Sequence, residues 1–355
     1  MNGGATPPPS RVVVGTLRCR RVRPWPAVGE MRLRTPLTER LGVMFPIVGA
    51  PMAGVAHGNL ARAVTEGGGL GMIGVGSADP ADLIVREAAV ASDAGRLPFG
   101  VGLMAWALPD HPEQLDATIA AQPTLVSISF GSPAPYVGAV HAAGILVASQ
   151  VQDAAGAIAA VEAGVDIVVA QGTEAGGHTG TVGTLPLLQM VLEEVDVPVL
   201  VAGGIATPRG LAAALVAGAA GAWVGTCLLA CPEAANTPQA RATILASRET
   251  DTTLTRVFDV AQGIAWPEGF AGRALRNAFT NDWDGREVEL AHDPEQGRRL
   301  ADARRAHDYR TAYVYAGQAV GLVQESLPAA QVVRRLGEGA ASWMDERFAE
   351  LRGDE

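Results

Sequence analysis

The sequence predicts an α/β fold, a (β/α)8 barrel followed by a smaller, mainly helical C-terminal appendage. Three observations predict it. Between Phe45 and Ala230 short apolar, β-rich runs alternate strictly with amphipathic ones, the apolar runs number eight, and several, such as VPVLVA (197–202) and DIVVA (166–170), are apolar on both faces. Strands with two apolar faces are covered on both sides, as in parallel sheets flanked by helices. Strict alternation selects an α/β fold, and a count of eight favours closure over an open sheet.

The units run in order. Strand 46–52 leads to helix 59–66, strand 70–75 to helix 80–93, strand 99–104 to helix 113–121, and strand 125–130 to helix 134–143. Strand 145–151 then leads to helix 154–163, strand 166–171 to helix 185–194, strand 197–202 to helix 208–217, and strand 222–228 closes the series. Glycines in EAGV (162–165) and AGAAG (217–221) mark helix ends turning back into strands. An open doubly wound sheet is the alternative, but it calls for a glycine fingerprint after the first strand, where the chain reads APMAGVAHG (50–58). Beyond Ala230 the rhythm stops. Residues 231–290 mix a polar helix with turn-rich stretches such as GIAWPEGFAG (263–272), and 295–350 reads as two or three amphipathic helices, placed either over the barrel mouth or as an outer layer.

The expected organisation is a disordered tail over 1–30, a cofactor-binding barrel over 31–232, and a substrate-capping segment with C-terminal helices over 233–355. The tail carries Pro7, Pro8, Pro9 and five arginines but no apolar core for a signal peptide, so Met31 is read as the start of the foldable chain. The charge-free stretch 211–230 is long enough for a membrane span, but Gly218 and Gly221 divide it into a short helix and a short strand.

With 48% hydrophobic and 18% charged residues, the 355-residue chain can bury a large core. All 27 basic residues are arginine. The absence of lysine removes Schiff-base aldolases, pyridoxal-phosphate enzymes, Walker-A nucleotide binders and Ser-Lys hydrolases. A net charge of −10 argues against nucleic acid as partner. Cys19, Cys227 and Cys231 cannot form a disulfide framework and no Cys/His set has zinc spacing, so no metal and a cytoplasmic location are expected.

In such barrels the functional groups sit on loops after the strand C-termini. The sixth strand is followed by QGTEAGGHTG (171–180), where glycines surround Glu174 and His178 and let the backbone approach a flat ligand. An imidazole at the barrel mouth titrates near neutrality, and His178 is the candidate catalytic residue. AGGIATPRG (202–210) and VGTCLL (224–229) follow the last two strands. Amides of Gly203, Gly204, Gly225 and Thr226 can converge there on a phosphate without any basic side chain. Arg209 is read as solvent-facing. His57 is divided between a substrate contact and a loop hydrogen bond, His141 is helix surface, and His111, His292 and His307 carry no signal. Cys227 and Cys231 read as buried thiols rather than redox groups. Trp106, Trp266 and Trp283 could wall an apolar substrate pocket or simply pack.

FPIVGAPMAG (45–54), GGGLGMIG (67–74), PFGVGLM (98–104), QGTEAGGHTG, VAGGIATPRG (201–210) and GTCLLA (225–230), in this order, resemble the nitronate monooxygenases, formerly called 2-nitropropane dioxygenases. The resemblance implies a TIM barrel binding FMN noncovalently, with Ala50, Pro51, Met52, Gly102, Gln171, Gly176 and Gly177 at the flavin. It assigns the phosphate to Gly203, Gly204, Gly225 and Thr226. It implies that alkyl nitronates pass an electron to the flavin and O2 traps the radical pair, giving a carbonyl compound and nitrite. His178 would be the base that deprotonates neutral nitroalkanes. The implied partners are a small-molecule substrate and O2, with no nucleic acid and no membrane, and a homodimer is left open. Gly102 departs from the asparagine of many members, which removes a polar contact near the flavin. Two rivals stay open: an NAD(P)H-dependent flavin enoyl reductase acting on an acyl thioester, for which Arg273 and Arg276 are the candidate cations, and a non-catalytic flavin-binding protein.

Overall fold

A computed structural model describes residues 32–353. The expectations for the tail and for Met31 lie outside the described residues. The described residues open with a helix the sequence reading did not anticipate, α1 (Pro36–Leu41), whose start is fixed by Thr35 and Thr38 in a reciprocal capping box and whose end is Gly42 at φ 67°. The barrel follows as β1 (Ile47–Gly49), α2 (Gly58–Glu66), β2 (Met72–Gly74), α3 (Ala81–Ala91), β3 (Gly100–Met104), α4 (Pro112–Ala120), β4 (Leu125–Ser129) and α5 (Ala134–Ala142). It continues with β5 (Leu146–Val151), α6 (Ala154–Glu162), β6 (Ile167–Gln171), β7 (Gly177–Thr179), α7 (Thr184–Glu194), β8 (Val199–Ala202), α8 (Pro208–Val216) and β9 (Gly221–Val224). Leaving aside β7, these are the eight expected units.

The eight barrel strands pair in parallel in the order β1-β9-β8-β6-β5-β4-β3-β2. The ring closes where Val48 bridges Leu70, with the Gly49 N–H donating to Leu70 O and the Leu70 N–H to Ile47 O, each at 2.9 Å. The first strand is only three residues long because Pro46 and Pro51 bracket it, and neither has an N–H for the ladder.

Closure explains the two-sided apolar runs. Alternate residues of each strand point to opposite faces. Val48, Ile167, Val169, Leu200 and Trp223 fill the interior, while Ile47, Val168, Ala170, Val199 and Val201 face the helices. Leu37 and Leu41 of α1 belong to the interior cluster, and a Cβ on Gly221 of β9 would lie 2.7 Å from Leu37 Cδ2. Among the described residues no helix is long and apolar enough to cross a membrane. The charge-free stretch is divided into α8 and β9.

After the barrel come α9 (Pro238–Ala246), β10 (Thr252–Thr255), α10 (Val257–Gln262), β11 (Ala271–Leu275), α11 (Ala278–Trp283), α12 (Glu287–Ala291), α13 (Pro294–Arg305) and α14 (Ala329–Arg352). This segment is helical as expected, except that β10 and β11 join β7 in an antiparallel sheet of order β10-β11-β7. β7 is the stretch Gly-His-Thr in the expected glycine loop, too short to show a two-residue period. The C-terminal segment divides between both expected positions: residues 304–319 contribute to the wall of the mouth, while α14 packs outside against α8 and α2.

Packing under α14 is tight at Gly337, where a Cβ would sit 2.3 Å from the ring of fully buried Phe45. Alanine there gains about 1 kcal/mol of helix propensity. Overpacking against a buried ring costs about 1–3 kcal/mol, and at this distance the ring must move, so the clash wins. Gly337→Ala should lower Tm, and a thermal melt with unchanged or higher Tm would show that propensity dominates.

Candidate active site

A cavity of about 740 Å³ opens at the C-terminal ends of the strands. All the residues expected at the site line it. Ala50, Pro51 and Met52 follow β1, Gly102 lies on β3, and Gln171 ends β6. Gly176, Gly177 and His178 come from the glycine loop and β7, Gly203 and Gly204 follow β8, and Gly225 and Thr226 follow β9.

The last two loops form a cradle of backbone. Gly203 and Gly204 have φ of 106° and 77°, a region that side chains rarely enter. A Cβ on Gly204 would meet only Glu174 Cβ at 4.0 Å, so this backbone faces open space. Thr226 starts a short 3-10 turn, and its Oγ1 accepts the Gly317 N–H at 2.9 Å, leaving the hydroxyl proton free to donate to a ligand. Arg209 takes no part. It is exposed, with its guanidinium 5.0 Å above the Trp343 ring. At Gly102 a Cβ would fall 2.3 Å from the Pro51 ring, which is the steric reason this chain has no side chain there.

Gln171 holds the loop. Its Nε2 donates to His178 O at 3.1 Å and its Oε1 accepts from Gln152 Nε2 at 2.8 Å. Glu174, the loop's carboxylate, accepts the Thr184 N–H and hydroxyl at 2.8 and 2.6 Å at the start of α7, a structural role. His178 sits in β7 opposite Gly272 of β11 and is buried. Its Nε2 is 2.9 Å from Asp259 Oδ2, and its ring stacks on Trp266 at 3.5 Å between centroids and 9° between planes. Tyr315 donates to Asp259 Oδ1 at 3.4 Å. Burial first, and the adjacent carboxylate second, push the Tyr315 phenol well above its ordinary range, so it stays protonated and remains a donor.

Trp266 lines the cavity, while the Trp106 ring lies 5.3 Å from it, tilted by 57°, and Trp283 carries Arg286 over its ring. His57 stands at the N-cap of α2, off the cavity wall, whereas His307, which carried no sequence signal, lies on it. Arg273 is a buried structural arginine, with Nε donating to Thr173 O at 2.6 Å and Nη1 to Thr252 Oγ1 at 3.2 Å. Asp259, Tyr313, Tyr315 and Arg304 were missed. The one legible signal was Asp259 itself, an acid inside the apolar run VFDVA (257–261), because a carboxylate among core residues requires buried partners.

Cys227 and Cys231 are buried thiols. Burial pushes Cys227 up to about 12 and Cys231 higher still, so both are neutral and unreactive near pH 8. In a Cys19→Ser variant, maleimide at pH 8 should leave the native protein unlabelled and add two labels after denaturation. Labelling of the native fold would show that these thiols are exposed.

The chain matches the family profile described as nitronate monooxygenase over residues 34–339. A nitronate monooxygenase of Paraburkholderia phytofirmans is 33% identical over 355 aligned residues, covering 84% of this chain and 93% of that protein. Among solved structures, FabK from Thermotoga maritima superposes with a TM-score of 0.79 at 30% identity, covering 91% of this chain and 100% of that one. A nitroalkane oxidase from Streptomyces ansochromogenes gives 0.73 at 30% identity, covering 86% and 98%.

Proposed function

The chain belongs to the nitronate monooxygenase family and is a flavin-dependent oxidoreductase, and from that premise we propose that it binds FMN and uses O2 to convert alkyl nitronates to a carbonyl compound and nitrite. The carrying observation is the arrangement of His178, which lies on the wall of the same cavity as the glycine cradle with Nε2 committed to Asp259 and Nδ1 left to meet a ligand.

The cradle fits a phosphate monoester. Amides of Gly203, Gly204, Gly225 and Thr226, with the Thr226 hydroxyl, supply neutral donors in a chain without lysine, and the open space before Gly204 admits the group. Bound FMN supplies the electron acceptor through which the substrate's electrons reach O2. Pro51 and Met52 offer an apolar wall for its ring. His178 takes the α-proton of a neutral nitroalkane at Nδ1, while a preformed nitronate needs no base. Trp266 covers a face of the imidazole and leaves its edge, where the lone pair lies, open to approach. The acyl-thioester reading loses one of its two cations, because the Arg273 guanidinium is spent inside the protein.

Anaerobic mixing of the yellow protein with propionate 3-nitronate should bleach the flavin, and NADH should not; the reverse result transfers the site to the enoyl-reductase reading. Gly204→Leu forces a side chain onto a φ of 77° and into the cradle. That variant should purify with little flavin by absorbance, and full retention would remove the phosphate assignment. His178→Asn should cut turnover of neutral nitroalkanes by about 10²-fold or more, with a much smaller loss on nitronates. Equal losses on both substrates would mean that His178 binds rather than deprotonates.

A further inference from the structure

We propose that Asp259 is a positioning residue for His178, fixing the ring proton on Nε2 so that Nδ1 is bare toward the cavity, and then stabilising the imidazolium that proton abstraction creates. This rests on His178 being the base.

Beside a carboxylate, the geometry favours one tautomer. Side chains of His178 and Asp259 are 8% and 4% exposed, and Nε2 lies 2.9 Å from Oδ2. A carboxylate at that depth needs donors, and the two it has are the Nε2–H and the Tyr315 hydroxyl. A proton on Nδ1 alone would set the Nε2 lone pair against carboxylate oxygen. Neutral or protonated, the ring therefore keeps its Nε2 proton. The titratable groups facing it are Asp259 from α10 and Tyr315 from the strand-like segment beside β11. Arg273 of β11 turns away to Thr173 and Thr252, and Glu174 is taken by Thr184.

The supports are specific. α10 is held by Val257 and Phe258, which pack in a core with Phe279, Leu290 and Leu300, so Asp259 is anchored independently of the barrel. Gly272, opposite His178, lets the Tyr315 ring through: a Cβ there would lie 2.6 Å from that ring and 3.5 Å from His178 Nε2. Trp266 stacking sets the plane of the imidazole. In the step itself the substrate C–H bond breaks, its electron pair moves into the nitro group to give the nitronate, and the proton forms an N–H bond at Nδ1. The imidazolium so formed faces the Asp259 carboxylate, the role a buried aspartate plays beside the base of a hydrolase triad.

Long-range ¹H–¹⁵N spectra of histidine-labelled holoenzyme, with the His178 signals assigned by their loss in His178→Asn, should show the Nε2–H tautomer. An Nδ1–H tautomer overturns the proposal. Asp259→Asn should lower kcat for a neutral nitroalkane by about 10²-fold or more with KM changed far less, because asparagine can hold the wrong tautomer. Nitronate turnover should fall by a much smaller factor. Equal losses on the two substrates, or a change confined to KM, overturn it. Tyr315→Phe decides the matter if Asp259→Asn does not fold: it should slow the nitroalkane reaction by roughly fivefold, the worth of one hydrogen bond, and no selective effect counts against the proposal. Failure of the base reading is separately visible. There His178→Asn itself loses both substrates equally, whereas failure of this inference leaves His178→Asn selective and Asp259→Asn not.

Discussion

Closure of a parallel sheet into a ring is the constraint from which the rest follows. Once Val48 and Leu70 join β1 to the segment leading into β2, the barrel has no free edge, and every strand is buried on both faces. Its residues are therefore mostly apolar on both sides, with Ser127, Ser129 and Ser149 as small buried exceptions, so the strands have little room for chemistry. The candidate site lies at the strand ends, and the interior cluster of Val48, Val169, Leu200 and Trp223 becomes a floor beneath the cavity.

That floor cannot by itself orient an imidazole. His178 lies on the glycine-rich stretch after β6, where the backbone has more freedom than anywhere in the ring. Three independent restraints remove it. Gln171 holds the His178 carbonyl from the barrel, β11 pairs with β7 from the appended segment, and Trp266 and Asp259 fix the ring. The appended segment thus completes the site that the barrel only begins.

The barrel was legible because its signal is local and repeated: eight apolar runs, with glycines at the helix ends, require no knowledge of distant partners. The convergence of Gly203, Gly204, Gly225 and Thr226 on the cavity was legible for the same reason, since they lie immediately after strands whose place in the ring is known. The partners of His178 were not. Asp259 is 81 residues away and Tyr315 lies beyond α13, and pairing at such separation is set by how β7, β10 and β11 find each other. A three-residue strand of Gly-His-Thr carries no periodicity to announce that pairing. Arg273 illustrates the converse error, for an arginine in a turn-rich stretch reads as a surface cation until its guanidinium is seen donating to Thr173 and Thr252.

The departure at Gly102 gains its meaning from what stands beside it. An asparagine there would bring an amide to the cavity wall, but the Pro51 ring occupies the space where its Cβ would begin. Position 102 therefore presents backbone rather than an amide to the cavity, which Met52 and Met104 also line. Trp266, Phe130 and Tyr315 line the cavity too, and Phe130 meets Trp266 edge-on at 5.2 Å. The side chains of His178 and Asp259 are themselves almost fully shielded from solvent. Charge interactions strengthen as water is excluded, so a charge placed on that imidazole would feel the carboxylate more strongly than in an exposed pair.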